Sequence, residues 1–141
     1  MDPGLRISVV DPDDDYLGIE VAAASNRFAG TTRIYAGLDE LSSLASCIEG
    51  FPRTPLDERS YEFGSSEPGV AGGFACLRFH CVDGSGHAAI EVTISDDRQW
   101  HDPASAKFAF RIAAVDLDRF LTRLRHIEQE QCGEAVLLAA V

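Results

Sequence analysis

Residues 75–94 read ACLRFHCVDGSGHAAIEVTI, and this stretch decides the fold class of the chain. Two segments that alternate between apolar and polar residues flank a central DGSG, which is typical of a tight turn. Folding the stretch back at this turn sets Leu77 opposite Val92 on one face and Arg78 opposite Glu91 on the other. Apolar side chains then meet apolar ones and opposite charges meet. The stretch therefore predicts an antiparallel β-hairpin with one buried face.

Further segments with the same two-residue alternation lie on both sides of this hairpin. Strands are predicted at residues 5–10, 17–22, 31–36, 106–112 and 135–139. Between the first two lies DPDDD, whose composition is that of a turn. Residues 53–73 are rich in proline and glycine, and only the YEF at 61–63 looks strand-like there. This part of the chain is therefore predicted to be a long internal loop.

Two segments carry apolar residues at the three- and four-residue spacing of an amphipathic helix. The first is predicted to begin at Leu38 or Asp39 and to end at Gly50. The second is predicted to take Asp116 as its N-cap and to end at Gly133. Their apolar stripes are Leu38, Leu41, Leu44, Ala45 and Ile48, and Leu117, Phe120, Leu121, Leu124 and Ile127. The stripes match in spacing, which either an internal duplication or the shared geometry of amphipathic helices would produce.

The element order of strands, helix, strands, helix and a final strand predicts an α+β fold. Its sheet is expected to be mostly antiparallel, with about six to seven strands and two amphipathic helices. The length of 141 residues favours a single domain over residues 1–141. A domain of this size buries enough surface to fold without metal ions or disulfides.

The charge balance restricts the partners that the chain can have. It carries 23 acidic and 12 basic side chains, which gives a net charge of −11. Nucleic acids and anionic membranes would be repelled, so neither is expected as a partner. A basic protein partner is favoured because opposite fields steer encounter, although acidic surfaces also simply keep proteins soluble. No targeting segment is recognised and no apolar run could span a bilayer, so a cytoplasmic location is expected.

Residue patterns that carry chemistry are not found in the sequence. The DPDDD turn resembles the start of a calcium loop, but Tyr16 stands where that loop needs glycine and Ala22 where it needs glutamate. The four cysteines have no paired spacing and are expected to be free thiols: Cys47, Cys76, Cys81 and Cys132. Phosphate-binding and nucleophile-elbow patterns are also missing. We therefore expect no catalytic residues, no cofactor and no metal, and we expect that the protein is not an enzyme.

One layout of motifs spans about residues 28–137. It consists of Arg33-Ile34-Tyr35-Ala36, Ile48-Glu49-Gly50-Phe51-Pro52, Tyr61-Glu62-Phe63-Gly64, the hairpin Leu77–Ile94, Phe108-x-Phe110 and Leu117-x-x-Phe120. This layout resembles the WapI-type immunity proteins of bacterial polymorphic toxin systems. The motifs are structural rather than catalytic, so no functional residue is carried over from that family. The resemblance implies a cytoplasmic protein that binds and neutralises one cognate toxin.

Acidic and aromatic residues in turns and loops are the candidates for contact with a basic partner. They are Asp13, Asp14, Asp15, Glu58, Tyr61, Asp96, Asp97 and Trp100. The two aromatic residues could equally pack against the core. A small-ligand-binding or regulatory domain, with its pocket between the sheet and the long loop, is the alternative. An enzyme of unrecognised type is the third reading, and the oligomeric state is open.

Overall fold

The computed structural model describes residues 1–65, 72–96 and 103–140. The elements follow the chain as β1 (Gly4–Pro12), β2 (Leu17–Ala24), β3 (Ala29–Ala36), α1 (Glu40–Ile48), β4 (Glu58–Gly64), β5 (Phe74–Cys81), β6 (Ala88–Asp96), β7 (Ala104–Ile112), α2 (Ala114–Glu130) and β8 (Gly133–Leu138). The α+β class, the two helices and the antiparallel pairing of the strands are confirmed.

The strands form two sheets rather than one. Sheet 1 has the order β3-β2-β1-β8 and sheet 2 the order β4-β5-β6-β7, so the described part of the chain holds eight strands. Both sheets and both helices contribute to one hydrophobic cluster. In sheet 2 its members include Leu77, Phe79, Ile90 and Val92. The predicted register of the β5–β6 hairpin is confirmed, since Leu77 pairs with Val92 and Arg78 with Glu91.

Strand β4 lies within the stretch that was predicted to be a long loop, and that prediction is corrected here. Its inward positions are Arg59, Tyr61 and Phe63, of which Phe63 is fully buried. Two of these three side chains carry polar groups, so the alternation of apolar and polar residues is weak. Pairing with β5, rather than local pattern, makes this segment a strand.

The two halves of the chain repeat the same element order. Each half runs strand, strand, strand, helix, strand: β1 to β4 around α1, and β5 to β8 around α2. The last strand of each half joins the sheet of the other half, because β4 pairs with β5 and β8 pairs with β1. The matching helix stripes in the sequence therefore belong to equivalent places in a strand-exchanged internal repeat.

The ends of α1 are held by side chains from other elements. Leu41 and Ser42 donate their backbone N–H groups to Glu128 Oε1 of α2 at 3.0 and 3.1 Å. At the other end, Arg59 Nη1 donates to the carbonyl oxygens of Cys47 at 3.1 Å and Glu49 at 2.7 Å. A negative group thus sits at the positive end of the helix dipole and a positive group at the negative end.

The predicted start and end of α2 are both corrected. The helix begins at Ala114 with Ala113 at the N-cap position, and Asp116 lies in its first turn. An acidic residue is favourable there through the helix dipole, even when it is not the cap. The helix ends at Glu130 and Gln131 takes the left-handed conformation, two residues before Gly133.

Candidate interaction surface

The turn between β1 and β2 places several carboxylates at one end of sheet 1. Asp13 closes the turn, since its N–H donates to the carbonyl of Tyr16 at 3.1 Å and its Oδ1 accepts from the N–H of Asp15 at 3.1 Å. Asp14 lies between them, and all three aspartates are exposed. Asp11, at the end of β1, is exposed as well. The turn therefore presents four carboxylates on a hydrogen-bonded backbone.

Two tyrosines stand beside these carboxylates. The rings of Tyr16 and Tyr35 meet edge to face, with centroids 5.3 Å apart and planes at 84°. The Tyr16 hydroxyl donates to Asp11 Oδ2 at 3.3 Å. The negative charge of Asp11, with smaller effects from burial and from Asp13, raises the pKa of Tyr16 above its ordinary value. The Tyr16 hydroxyl therefore remains a neutral donor to Asp11 at physiological pH.

Tyr35 is 61% exposed, which leaves much of its ring available for contact. It pairs in register with Gly18 of β2, which has no side chain to cover it. A Cβ atom at position 18 would lie 2.8 Å from Cβ of Asp11, so this position also requires glycine for the close approach of β1. We name Asp11, Asp13, Asp14, Asp15, Tyr16 and Tyr35 the acidic end of sheet 1.

Glu58 and Tyr61 do not share a surface. Glu58 lies on the outer face of sheet 2, where its Oε1 accepts from Arg78 Nη1 at 2.8 Å. Tyr61 points to the opposite face, where its ring packs against Phe63 at 4.9 Å between centroids. Its hydroxyl donates to the backbone carbonyl oxygen of Glu40 at 3.3 Å, and burial raises the pKa of Tyr61 to about 12. Tyr61 therefore packs against the core, the second of the two readings that the sequence left open.

Asp96 lies away from the acidic end of sheet 1. It ends β6 and borders a cavity of about 90 Å³ that is also lined by Ala29. Ala29 begins β3, whereas Tyr35 is next to its last residue, so Asp96 and the β1–β2 turn lie at opposite ends of that strand. Asp97 and Trp100 fall outside the described residues. Of the eight candidates, the structure thus groups Asp13, Asp14 and Asp15.

Sequence reasoning missed Asp11, Tyr16 and Tyr35 as members of this surface. A signal for Tyr35 existed, because the alternation in β3 places it on the same face as Arg33 and opposite to Ile34. Its contact with Tyr16 depends on the β2–β3 register, which local sequence does not specify.

Two other concave features differ in whether they are large enough for a small ligand. A shallow groove of about 410 Å³ lies along the exposed side of α2 and is lined by Asp118, Arg119, Thr122, Arg123 and His126. The cavity beside Ala29 is smaller than the pockets of about 300–1,000 Å³ that take typical small ligands. Among residues 1–65, 72–96 and 103–140 there is no group of three or more His, Cys, Asp or Glu placed to hold a metal ion. No helix in those ranges is long and apolar enough to cross a membrane.

Comparison of the chain with protein-family models, with curated proteins and with solved structures finds no match in any of the three.

Proposed function

We propose that this chain is a non-enzymatic binding module whose acidic end of sheet 1 binds a basic protein. The observation that carries the proposal is the grouping of four exposed aspartates with the Tyr16–Tyr35 pair, of which Tyr35 is exposed and Tyr16 half-buried. An aromatic anchor beside a polar, solvent-accessible rim is a pattern that protein interfaces use. The chain as a whole has a net charge of −11, which adds to the attraction of a basic partner.

The carboxylates are expected to increase the association rate and the selectivity of binding. Asp13, Asp14 and Asp15 are consecutive, so their fields add over a distance comparable with the screening length of about 8 Å in physiological salt. Such a field accelerates encounter with a positive surface and disfavours acidic competitors. Binding through this surface is therefore expected to weaken as salt is added.

Tyr35 supplies the contact that holds the partner. A tyrosine ring buries a large apolar area while losing little side-chain freedom. The edge-to-face contact with Tyr16 restricts that freedom before the partner arrives. Loss of the Tyr35 ring is therefore expected to raise the dissociation rate more than it lowers the association rate.

The more specific form of the proposal is an immunity protein that binds and neutralises a cognate bacterial toxin. The resemblance of the motif layout to WapI-type immunity proteins supports it, and so does the negative charge. A basic toxin domain, such as a nuclease, would be neutralised if the acidic end of sheet 1 covered its active site or held it in an inactive conformation.

The test begins with affinity capture from a lysate of the native host, at about 0.1 M and about 0.5 M salt. We expect one basic protein in stoichiometric amount, retained at low salt and reduced at high salt. The isolated partner is then titrated by calorimetry against the chain with Asp13→Asn, Asp14→Asn and Asp15→Asn. The dissociation constant is expected to rise about tenfold to a hundredfold, and Tyr35→Ala to raise it about tenfold or more.

A matched control changes three carboxylates elsewhere: Asp2→Asn, Glu62→Gln and Glu130→Gln. It removes the same amount of charge, so an equal loss of affinity would show that only net charge matters and would contradict the proposed surface. A partner that is acidic and whose affinity falls with the three substitutions at Asp13, Asp14 and Asp15 would also contradict it. The immunity function itself is tested by expressing the partner in cells: growth arrest that the wild-type chain relieves supports it, and absence of arrest opposes it.

Binding of a small anionic ligand is the second candidate function, and the groove on α2 is the observation that favours it. Arg119 and Arg123 lie on one helical face with His126, in a groove of about 410 Å³. Inorganic phosphate and citrate would raise the melting temperature of the wild-type chain if this groove binds anions. The variant with Arg119→Ala and Arg123→Ala would lose the shift. No shift in the wild type would remove this candidate.

A further inference from the structure

Among the described residues, each of the four outer edges of the two sheets accepts one hydrogen bond from outside its sheet. On β3, the carbonyl of Arg33 accepts from the N–H of Gly73 at 2.8 Å. On β4, the carbonyl of Ser60 accepts from Cys47 Sγ at 3.7 Å, and on β8 the carbonyl of Glu134 accepts from Arg123 Nε at 2.9 Å. On β7 the one such bond among the described residues lies near the strand end, where Arg111 O accepts from Ala140 N at 2.7 Å. Farther along that edge, Ser105, Lys107 and Ala109 are exposed.

The direction of the Arg111 carbonyl shows which groups of β7 face outward. It points away from β6, and successive residues of an antiparallel strand alternate in the direction of their N–H and C=O groups. The N–H and C=O groups of Ser105, Lys107 and Ala109 therefore point outward as well. Within the described part of the chain they form no backbone hydrogen bond. These three residues make an open edge in a strand without proline or bulge.

The side chains of β7 give each face of this edge a distinct chemistry. Lys107 and Arg111 are exposed on the outer face, and Lys107 Nζ lies 3.7 Å from Glu91 Oε1. Phe108 and Phe110 are half-buried on the inner face, where they pack against the core. An added strand would thus meet positive charge on one face and aromatic carbon on the other.

We propose that the edge of β7 binds an extended, acidic segment of another protein, which adds a fifth strand to sheet 2. Backbone hydrogen bonds to Ser105, Lys107 and Ala109 would supply affinity, and the alternating side chains would supply selectivity. Opposite Lys107 and Arg111 the segment carries carboxylates, and opposite Phe108 and Phe110 it carries apolar residues. The recognised pattern is acidic, apolar, any residue, apolar, acidic.

A second copy of the chain fits this edge less well. Its β7 would bring another Lys107 and another Arg111 to the same outer face, where like charges oppose pairing. A lysine on an edge strand disfavours pairing between identical chains through charge repulsion. An added strand of opposite charge does not meet this repulsion.

The test uses the full chain and a synthetic peptide of sequence STEVTVETS, with STKVTVKTS as the matched control. Amide exchange followed by NMR reads each backbone N–H separately. We expect the first peptide to slow exchange at Ser105, Lys107 and Ala109 by about tenfold or more at saturation. The lysine peptide is expected to bind at least about fivefold more weakly, because it faces Lys107 and Arg111 with like charge.

Two variants separate strand addition from other modes of binding. Ala109→Pro removes an outward N–H that β6 does not use, so the sheet is retained while strand addition is blocked. Ala109→Val is its control and keeps the N–H. The variant with Lys107→Glu and Arg111→Glu should reverse the preference and bind the lysine peptide better, which does not depend on how Ala109→Pro folds.

Several outcomes would overturn the proposal. Unchanged exchange at the three residues with saturating peptide would do so, as would equal binding by the Ala109→Pro and Ala109→Val variants. Protection of the same amides without peptide, together with a concentration-dependent dimer in ultracentrifugation, would show that a second copy occupies the edge. The edge belongs to sheet 2, so the variant with Asp13→Asn, Asp14→Asn and Asp15→Asn should bind the peptide normally. Failure here therefore leaves the proposed function of sheet 1 untouched.

Discussion

The carboxylate of Glu128, in α2, caps the first turn of α1 by accepting the backbone N–H of Leu41 at 3.0 Å. It accepts the N–H of Ser42 through the same oxygen at 3.1 Å. Asp39, which holds the N-cap position of α1, makes no side-chain capping bond. The first N–H groups of a helix have no partner within it, so α2 supplies what the sequence of α1 does not.

Replacement of Glu128 by alanine is expected to lower the free energy of unfolding by about 1–2 kcal/mol, the usual effect of losing a cap. Glu128→Gln keeps an acceptor oxygen and loses the charge, so its effect should be smaller. Urea unfolding followed by circular dichroism measures both. Glu130→Ala, at the exposed end of the same helix, is the matched control and should change little. Equal effects of the two alanine variants would contradict the capping role.

Arg59 is expected to be the residue of β4 whose loss most weakens α1. Its Nε and Nη2 donate to the two oxygens of Asp57 at 3.3 and 2.9 Å, and its Nη1 binds the last carbonyls of α1. Arg59→Ala should lower the free energy of unfolding by about 2–3 kcal/mol, because these acceptors lose a charged donor. Arg59→Lys should retain only part of the stability lost in Arg59→Ala, since an ammonium cannot bind in the same bidentate way.

The control for Arg59 is Arg53→Ala in the same connection between α1 and β4. Arg53 contributes its backbone N–H to Asp57 Oδ2 at 2.8 Å, and alanine retains that group. Urea unfolding should therefore show a change within about 0.5 kcal/mol for this variant. A small effect of Arg59→Ala would mean that water replaces the arginine at the end of α1.

Gly73 is expected to tolerate no side chain, because β3 passes directly against it. A Cβ atom at position 73 would overlap Oγ1 of Thr32, whose side chain is 1% exposed. Gly73→Ala should therefore cost about 3 kcal/mol of stability through overpacking. Adding Thr32→Ala should restore part of that loss, and thermal unfolding of the four proteins in the cycle measures the coupling. Strictly additive effects would show that the two residues do not meet.

Removal of the Thr32 hydroxyl alone is expected not to lower the stability of the chain. Its buried hydroxyl has no hydrogen-bond partner within the described residues. Thr32→Val keeps the shape and removes the unsatisfied group, so stability should stay the same or rise by about 1 kcal/mol. A loss of more than about 1 kcal/mol would show that the hydroxyl is bonded in solution.

The raised pKa of Tyr61 predicts that the stability of the chain falls at alkaline pH. Burial raises the pKa of its hydroxyl to about 12 in the folded chain, whereas the unfolded chain ionises near the ordinary value of 10.0. Between these values the unfolded state has lost a proton that the folded state keeps, so stability falls as pH rises. Urea midpoints at about pH 9 and about pH 11 should therefore differ more in the wild type than in Tyr61→Phe. Equal differences would place the Tyr61 hydroxyl in water.

Local sequence was sufficient for the β5–β6 hairpin and for the buried faces of both helices, with one exception. Leu38 was predicted to belong to the apolar stripe of the first helix, but it precedes α1 and is 44% exposed. Leu77 and Val92 lie on two strands that a short turn joins. A change of register by one residue would move every apolar side chain of one strand to the outer face. In α1, Leu41, Ala45 and Ile48 follow the helical period and are buried as expected. These features depend on residues close in the chain, so their pattern is visible without the fold.

The members of the acidic end of sheet 1 could be predicted only in part from the sequence. The acidic turn at Asp13, Asp14 and Asp15 is apparent from composition. The exposure of Tyr35 and its contact with Tyr16 depend on the pairing of β2 with β3, and on the glycine opposite Tyr35. Glu58 and Tyr61 are close in the chain, but the strand they share sends them to opposite faces.

The sequence by itself determined the α+β class, the helix-forming segments, the strand-forming segments other than β4, and the negative charge, because each follows from composition or from a short period. Tertiary structure alone decided the division into two sheets, the strand role of β4 and the exchange of β4 and β8 between the halves. Gly4 pairs with Leu138 and Tyr61 with Leu77. The alternation along a strand states which face is buried but not which strand lies beside it. That choice is made by the shared core, which is closed only when all eight strands and both helices have packed against it.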